Sequence, residues 1–420
     1  METNAYFWVI LLALVTTFAV ESTVGWLNQR ARTAEVPVPF RDVIDADRYE
    51  ASHRYGAEGF RFQTIQSAVM LTVTLAFWLG GGFPWLEGWA RHFGKGPVVT
   101  GMIGLMTLGA GLYLIGLPFQ IYDTFVHEAR FGFNQTTWST FIFDQIKALL
   151  LGALIGVPLL ALLLLLFERV PQAWLWGWMA VTLLSFFVTW IAPVWIMPLF
   201  NKFTRLEDGE LKTAIFDLAR QQDFPIDEVY VIDGSKRSSK ANAFFTGFGK
   251  TKRIALFDTL VNGQTVPELT AVLAHEIGHY KKKHIVQQMI AGILTTGVLF
   301  FLLGWFLRNE GLSKAFGVQV PSVWLGLVFF GLLFQPANWV LGLATNAWSR
   351  AHEYEADAFA ATATGNPVAM ITALKKLGRD NLANLSPHPL QVVLHYTHPP
   401  LGDRIAALEK MAAPKANKTP

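Results

Sequence analysis

The sequence predicts an all-α polytopic membrane protein: seven transmembrane helices with a small α+β core assembled from the polar segments between and after them. Three observations predict it. First, 52% of the 420 residues are hydrophobic and only 15% are charged, against about 25% charged in soluble domains. Second, the apolar residues are clustered, and seven clusters reach the roughly 20 residues needed to cross a bilayer core. Third, 29 of the 34 Lys and Arg fall on one side of that seven-span arrangement. The net charge of +3 hides this asymmetry. The composition excludes a disordered chain, a collagen-like fibre and a polybasic nucleic-acid binder. The absence of cysteine excludes disulfides, iron–sulfur clusters, Cys-based zinc sites and thiol catalysis.

The expected spans are 5–27, 65–86, 98–122, 146–167, 174–198, 286–307 and 323–346. The first has no Lys or Arg ahead of it and no clear small-residue cleavage site, so it reads as a retained span rather than a signal peptide. The fourth is almost uninterrupted Leu, Ala, Val and Gly. The seventh is interrupted by Gln335, Pro336 and Asn338, which at that depth should face protein or a water-filled cavity. Asp144 and Gln120 are further candidates to line such a cavity. The positive-inside rule places the N-terminus outside, in periplasm or lumen, and the C-terminus in the cytoplasm of a bacterial inner membrane or an endoplasmic-reticulum membrane.

The organisation is then 1–198, spans one to five with a solvated helical loop at 28–64; 199–285, a polar core; 286–346, spans six and seven; and 347–420, a helical tail. Within the core, an amphipathic helix is expected over 206–221 and strands at 228–233, 243–247 and 253–258, runs rich in β-branched and aromatic residues. The last two strands should form a hairpin through 248–252, which contains Gly249. A helix should follow from Pro267, a favoured first-turn residue. Tail helices are expected over 347–364, 366–379 and 401–412, with a frayed end from 412 to 420.

The helix after Pro267 carries His275-Glu276-Ile277-Gly278-His279. Two His four residues apart share one helix face and can both reach one Zn²⁺, while Glu276 is placed to take a proton from a water polarised by the metal. A catalytic zinc needs a third protein ligand and an open position. Candidates follow the seventh span in Arg350-Ala-His352-Glu353-Tyr-Glu355-Ala-Asp357. Glu353 and Asp357 share a helix face, so one can ligate while the other supports a ligating His. Glu355 lies about 200° around the helix from Glu353 and should face solvent or a basic residue. His352 remains a rival ligand on spacing alone. Lys281–Lys283 reads as an interfacial anchor rather than an anionic-lipid site, and His284 as an interfacial residue rather than a ligand.

These residues resemble the type I CAAX prenyl endopeptidase family. The resemblance rests on His275–His279, on Glu353-Tyr-Glu-Ala-Asp357, and on Asn242-Ala243-Phe-Phe-Thr-Gly. It also rests on His398-Pro-Pro-Leu with Arg404, and on His127-Glu-Ala-Arg-Phe-Gly-Phe-Asn134. It implies an integral-membrane gluzincin whose seven helices enclose a large water-filled chamber, with one Zn²⁺ per chain. It implies His275, His279 and Glu353 as metal ligands, Glu276 as catalytic base and Asp357 as support for a ligating His. It further implies His398 and Arg404 beside the substrate and its developing oxyanion, where hydrogen-bond donors stabilise a transition state. Asn242 and Ala243 begin a candidate substrate-binding edge, where an extended peptide can pair with backbone. The implied reaction is cleavage near the C-terminus of a prenylated peptide or protein delivered from the bilayer. A broader membrane-protein or peptide quality-control protease, with no prenyl requirement, is the alternative. A metal transporter is disfavoured because His275, His279 and Glu353 lie outside or at the ends of the apolar runs. A pseudoenzyme is disfavoured because ligands and base are all present.

Overall fold

A computed structural model describes residues 1–246 and 253–413, with side chains throughout except at 244–246 and 253. The expected turn at 248–252, the end of its first strand at 247, and the terminal stretch beyond 413 lie outside the described residues. Helix α1 spans Ala5–Arg30, α2 Ala46–Leu79, α3 Gly82–Phe93, α4 Pro97–Tyr122, α5 Trp138–Arg169 and α6 Ala173–Ile191. Strand β1 (Phe203–Arg205), α7 (Glu210–Gln221), β2 (Glu228–Ile232), β3 (Ala243–Thr246) and β4 (Arg253–Phe257) follow. The chain continues through α8 (Asp258–Gly263), α9 (Val266–Lys281), α10 (His284–Phe306), α11 (Glu310–Ala315) and α12 (Val323–Thr364). It closes with α13 (Pro367–Asp380), α14 (Pro389–His395) and α15 (Leu401–Ala412).

Seven helices among the described residues are long and apolar enough to cross a membrane, beginning at Ala5, Ala46, Pro97, Trp138, Ala173, His284 and Val323. Two of them run well past the expected spans. The helical, solvated loop expected before the second span is helical from Ala46 and continuous with that span; the Asp45 carboxylate caps its first turn by accepting from Arg48 N at 2.7 Å. The last span does not stop near 346 either. It runs unbroken to Thr364, where Gly365 adopts a left-handed conformation (φ 61°). Glu353 and Asp357 therefore ride on a rigid extension of the last span rather than on a separate tail helix.

The end of the bundle at α3 and α11 is fastened by aromatic packing. Phe316 stacks on Phe329 at 4.0 Å, Trp78 donates to Ala315 O at 3.0 Å, and Trp324 donates to Glu87 at 2.6 Å. Amphipathic α3 and short α11 are two elements that the sequence pattern did not single out. Between α1 and α2, and reached by α12 and α14, lies a cavity of about 970 Å³ lined by polar and apolar groups alike. It is bordered by part of the bundle, and α5, α6 and α10 contribute nothing to its lining. Asp144 takes no part in it, being committed to Arg237 through bonds of 2.7 and 3.0 Å.

The four-stranded sheet has the order β1-β2-β4-β3. β1 and β2 are antiparallel, β2 and β4 parallel, and β4 and β3 antiparallel in the register Ala243–Leu256. The expected pairing of the last two strands is thus present, and β1 is an additional strand too short to show a period. Ile215, Leu218, Val229, Ile254 and Leu256 pack beneath Leu269, Leu273 and Ile277 of α9. On its other side α9 crosses α12 closely. A Cβ added at Gly278 would stand 3.1 Å from both Ala356 Cα and Phe359 Cβ. Gly278, between the two His of the motif, thus sets how near the two helices approach.

The consequence is testable in purified protein by thermal unfolding and metal binding. Gly278→Ala should destabilise by about 1–3 kcal/mol, the usual range for overpacking. Gly278→Leu should separate α9 from α12 and abolish tight metal binding.

Candidate active site

Helix α9 begins with a reciprocal cap: Glu268 accepts from Thr265 N at 2.7 Å and also holds Lys376 of α13 at 2.7 Å. From that fixed start, His275 and His279 fall on the face turned toward α12. The Nε2 atoms of His275 and His279 lie 3.1 Å apart. Glu353 Oε1 lies 3.2 Å from His279 Nε2, and Glu353 Oε2 lies 3.4 Å from His275 Nε2. Ligands bonded at about 2.0–2.1 Å in a tetrahedron stand about 3.3 Å apart, so these spacings suit a zinc-sized ion. Glu353 Oε2 is buried and makes no well-formed hydrogen bond, although Arg404 Nη1 is 3.2 Å away. Burial disfavours a charged His275, yet hydrogen bonds to Asp357 and Glu353 raise its pKa to about 9. An orphaned buried oxygen and a pocket that favours positive charge both fit a cation held by His275, His279 and Glu353. His352 stacks on His284 and is not part of this group, so Glu353 is the residue placed to serve as a third donor.

Both imidazoles are oriented from behind. His275 Nδ1 is 2.9 Å from Asp357 Oδ1, and Asp357 accepts from Arg404 Nη2 at 2.6 Å and Nε at 2.8 Å. Arg404 is 6% exposed, and burial opposes its charge, but Asp357 holds its pKa above the ordinary value. Behind the second His, His279 Nδ1 is 3.1 Å from His284 Nδ1, and His284 Nε2 is 3.4 Å from Glu355 Oε2. His284 stacks on His352 with ring centroids 3.8 Å apart. A hydrogen on each Nδ1 of the motif leaves each Nε2 free as a donor atom. His284 was expected at the membrane interface but is 1% exposed. The cause is Lys283, whose left-handed backbone (φ 59°) separates α9 from α10 and returns His284 beneath His279. Lys281–Lys283 therefore forms an exposed turn, with Lys281 reaching Asp223 O at 3.3 Å. Glu355 is exposed to solvent, as expected, and its Oε2 also reaches His284.

A cleft of about 570 Å³ is lined by His275, Glu276, Glu353, His398 and Arg404 on one side and by Asn242 and Ala243 on another. Burial pushes Glu276 above the usual carboxylate range, partly offset by His275 and His279. A carboxylate so tuned is suited to proton transfer near neutral pH. His398 is exposed, with Nε2 3.4 Å from Glu353 Oε1. Ala243 opens β3, directly after Asn242, and β3 lies at the edge of the sheet. The structure thus brings all the sequence-derived site residues into one place.

Sequence reasoning missed what fastens that place to the membrane helices. Glu128 takes Lys240 at 2.7 Å and the Tyr55 hydroxyl at 2.6 Å, while Asn134 bridges Ser238. Lys240 immediately precedes the cleft-lining residues. Asp123, His127 and Glu128 form a second group with metal-ligand spacing, but Lys240 and Tyr55 already satisfy Glu128. No local pattern marks these contacts, because the partners are as much as 185 residues apart.

Known proteins match over nearly the whole chain. Residues 27–202 match the model described as CAAX prenyl protease N-terminal, five membrane helices, and residues 205–412 match that of peptidase family M48. CAAX prenyl protease 1 of Saccharomyces cerevisiae is 36% identical, over 96% of this chain and 95% of that protein. The CAAX prenyl protease 1 homolog of Homo sapiens is 32% identical, again over 96% and 95%. The crystal structure of S. mikatae Ste24p superposes with a TM-score of 0.91 at 35% identity, covering 97% of this chain and all of that one. The chain is a membrane metalloprotease and belongs to peptidase family M48, in its CAAX prenyl protease branch.

Proposed function

We propose that the protein is a zinc metalloendopeptidase that cleaves near the C-terminus of prenylated CAAX-type substrates. The observation that carries this reading is the convergence of His275, His279 and Glu353 with Glu276 on one cleft that the β3 edge borders. His275 and His279 would hold one zinc ion through Nε2, with a carboxylate oxygen of Glu353 as third donor. When bound, zinc lowers the pKa of water and polarises the scissile carbonyl. Glu276 takes a proton from the attacking water and delivers it to the leaving amine nitrogen. The extended peptide pairs with backbone at Asn242–Ala243, which presents its carbonyl to Glu276. His398 donates to the developing oxyanion from the open side of the cleft. Arg404 donates from the buried side through Nη1, while Nε and Nη2 hold Asp357 against His275. The prenyl requirement is supported by the names of the relatives. The Lys and Arg asymmetry supports a cytoplasmic active site and an external N-terminus.

Glu276→Gln should keep its zinc, measured by metal analysis in detergent, while turnover falls about 10²–10⁴-fold, the usual worth of a general base. Zinc chelation should abolish wild-type activity reversibly. Losing the buttress behind His279 in His284→Ala should weaken zinc affinity about 10–100-fold, read by competition with a chelating dye. A farnesylated peptide should be cleaved well and its unmodified twin poorly; equal turnover would indicate a broader peptidase.

A further inference from the structure

Arg32, two residues past α1, is a cation without an anion among the described residues. It lines the 970 Å³ cavity, and its one protein hydrogen bond among the described residues runs from Nη1 to Ser52 O at 2.8 Å. Its Nε is buried and unpartnered. The guanidinium lies across Gly56, where an added Cβ would fall 1.8 Å from Nη2, so the helix backbone is bare to admit it. Arg404 and Arg237 hold the carboxylates of Asp357 and Asp144, and Arg48 and Arg350 each donate to two backbone carbonyls, whereas Arg32 has a single carbonyl. The carboxylate of this cavity, Glu21, is taken by His395 at 2.8 Å and Trp339 at 3.1 Å. The groups that favour the charge of Arg32 are the hydroxyls of Tyr396 and Tyr49, which are neutral at ordinary pH, while burial pushes its pKa down and nearby His53 supplies no negative charge. A withdrawn cation is costly without a counter-charge.

The cavity and the catalytic cleft share a wall. Asn28 lines the cavity and accepts from Asn384 at 3.1 Å, and Asn384 and Tyr396 line the cleft. We infer that Arg32 is a specificity residue that binds the free C-terminal carboxylate of the peptide while its scissile bond lies in the cleft. This rests on the proposed cleavage near a C-terminus. In a CAAX-type substrate three residues follow the prenylated cysteine, so cleavage beside that cysteine puts the carboxylate at most about 10 Å of extended chain beyond the scissile bond. Guanidinium suits the task because its planar donors match a carboxylate bidentately. Ser52 O fixes one donor and leaves Nε free.

The test compares two farnesylated peptides identical but for a free C-terminal carboxylate or a C-terminal amide. Wild-type protein should favour the acid about 10–100-fold in kcat/KM, the worth of a charge-assisted hydrogen bond. Arg32→Gln should reduce the acid to the level of the amide by raising KM with kcat nearly unchanged, and should leave the amide unaffected. Arg32→Lys should restore part of the preference. Binding of the same pair to the Glu276→Gln protein reads the carboxylate site without turnover. Should the wild type cleave neither peptide, the proteolytic reading falls, while tighter binding of the acid still supports Arg32. Equal binding of acid and amide, or a preference that survives Arg32→Gln, would overturn the inference.

Discussion

The closeness of α9 to α12 at Gly278 and Ala356 is the constraint on which the site depends. His275 and His279 are fixed on α9, and Glu353 and Asp357 on α12, so the spacing of two helix backbones becomes the spacing of donor atoms. Leu269, Leu273 and Ile277 press α9 from the opposite side against the sheet and α7. Because α12 is one rod from Val323 to Thr364, its carboxylates are positioned by the membrane bundle itself. A soluble catalytic helix is thereby registered against a membrane-spanning one.

Around this contact the charges are arranged so that few are left unpaired. Arg404 answers Asp357 and Glu353, Lys376 answers Glu268, and Lys240 answers Glu128. Removing one partner of a buried pair costs about 3–5 kcal/mol. A defect on losing Arg404 would therefore combine lost support for Asp357 with any lost contact to substrate. Glu276 differs, since it faces the cleft and has no ion-pair partner among the described residues. Glu276 and Arg32, which have no ion-pair partner among the described residues, both face space that a substrate can fill.

Much of this was legible in the sequence because local spacing encodes it. The two His at i and i+4, the alternating strands and the seven apolar runs each reflect a period of one element. What stayed hidden depends on chain direction over longer distances. Spacing alone left His352 and Glu353 as rivals, and the choice follows from which face of α12 meets α9. His284 looked interfacial because nothing local signals that Lys283 takes a left-handed conformation, which lysine rarely adopts. The continuity of α2 and α12 beyond the apolar runs was obscured because charged, helix-favouring residues do not show whether their helix is separate from the span or joined to it. The links from Glu128 to Lys240 and from Asp144 to Arg237 join distant segments and leave no periodic trace.

The central claim is that the α9–α12 crossing builds one metal site. Anomalous diffraction at the zinc absorption edge, on crystals of the purified full-length protein, tests it most directly. The account predicts a single strong peak within bonding distance of His275 Nε2, His279 Nε2 and a carboxylate oxygen of Glu353. A peak instead among Asp123, His127 and Glu128, or none beside His275 in an active preparation, would contradict it.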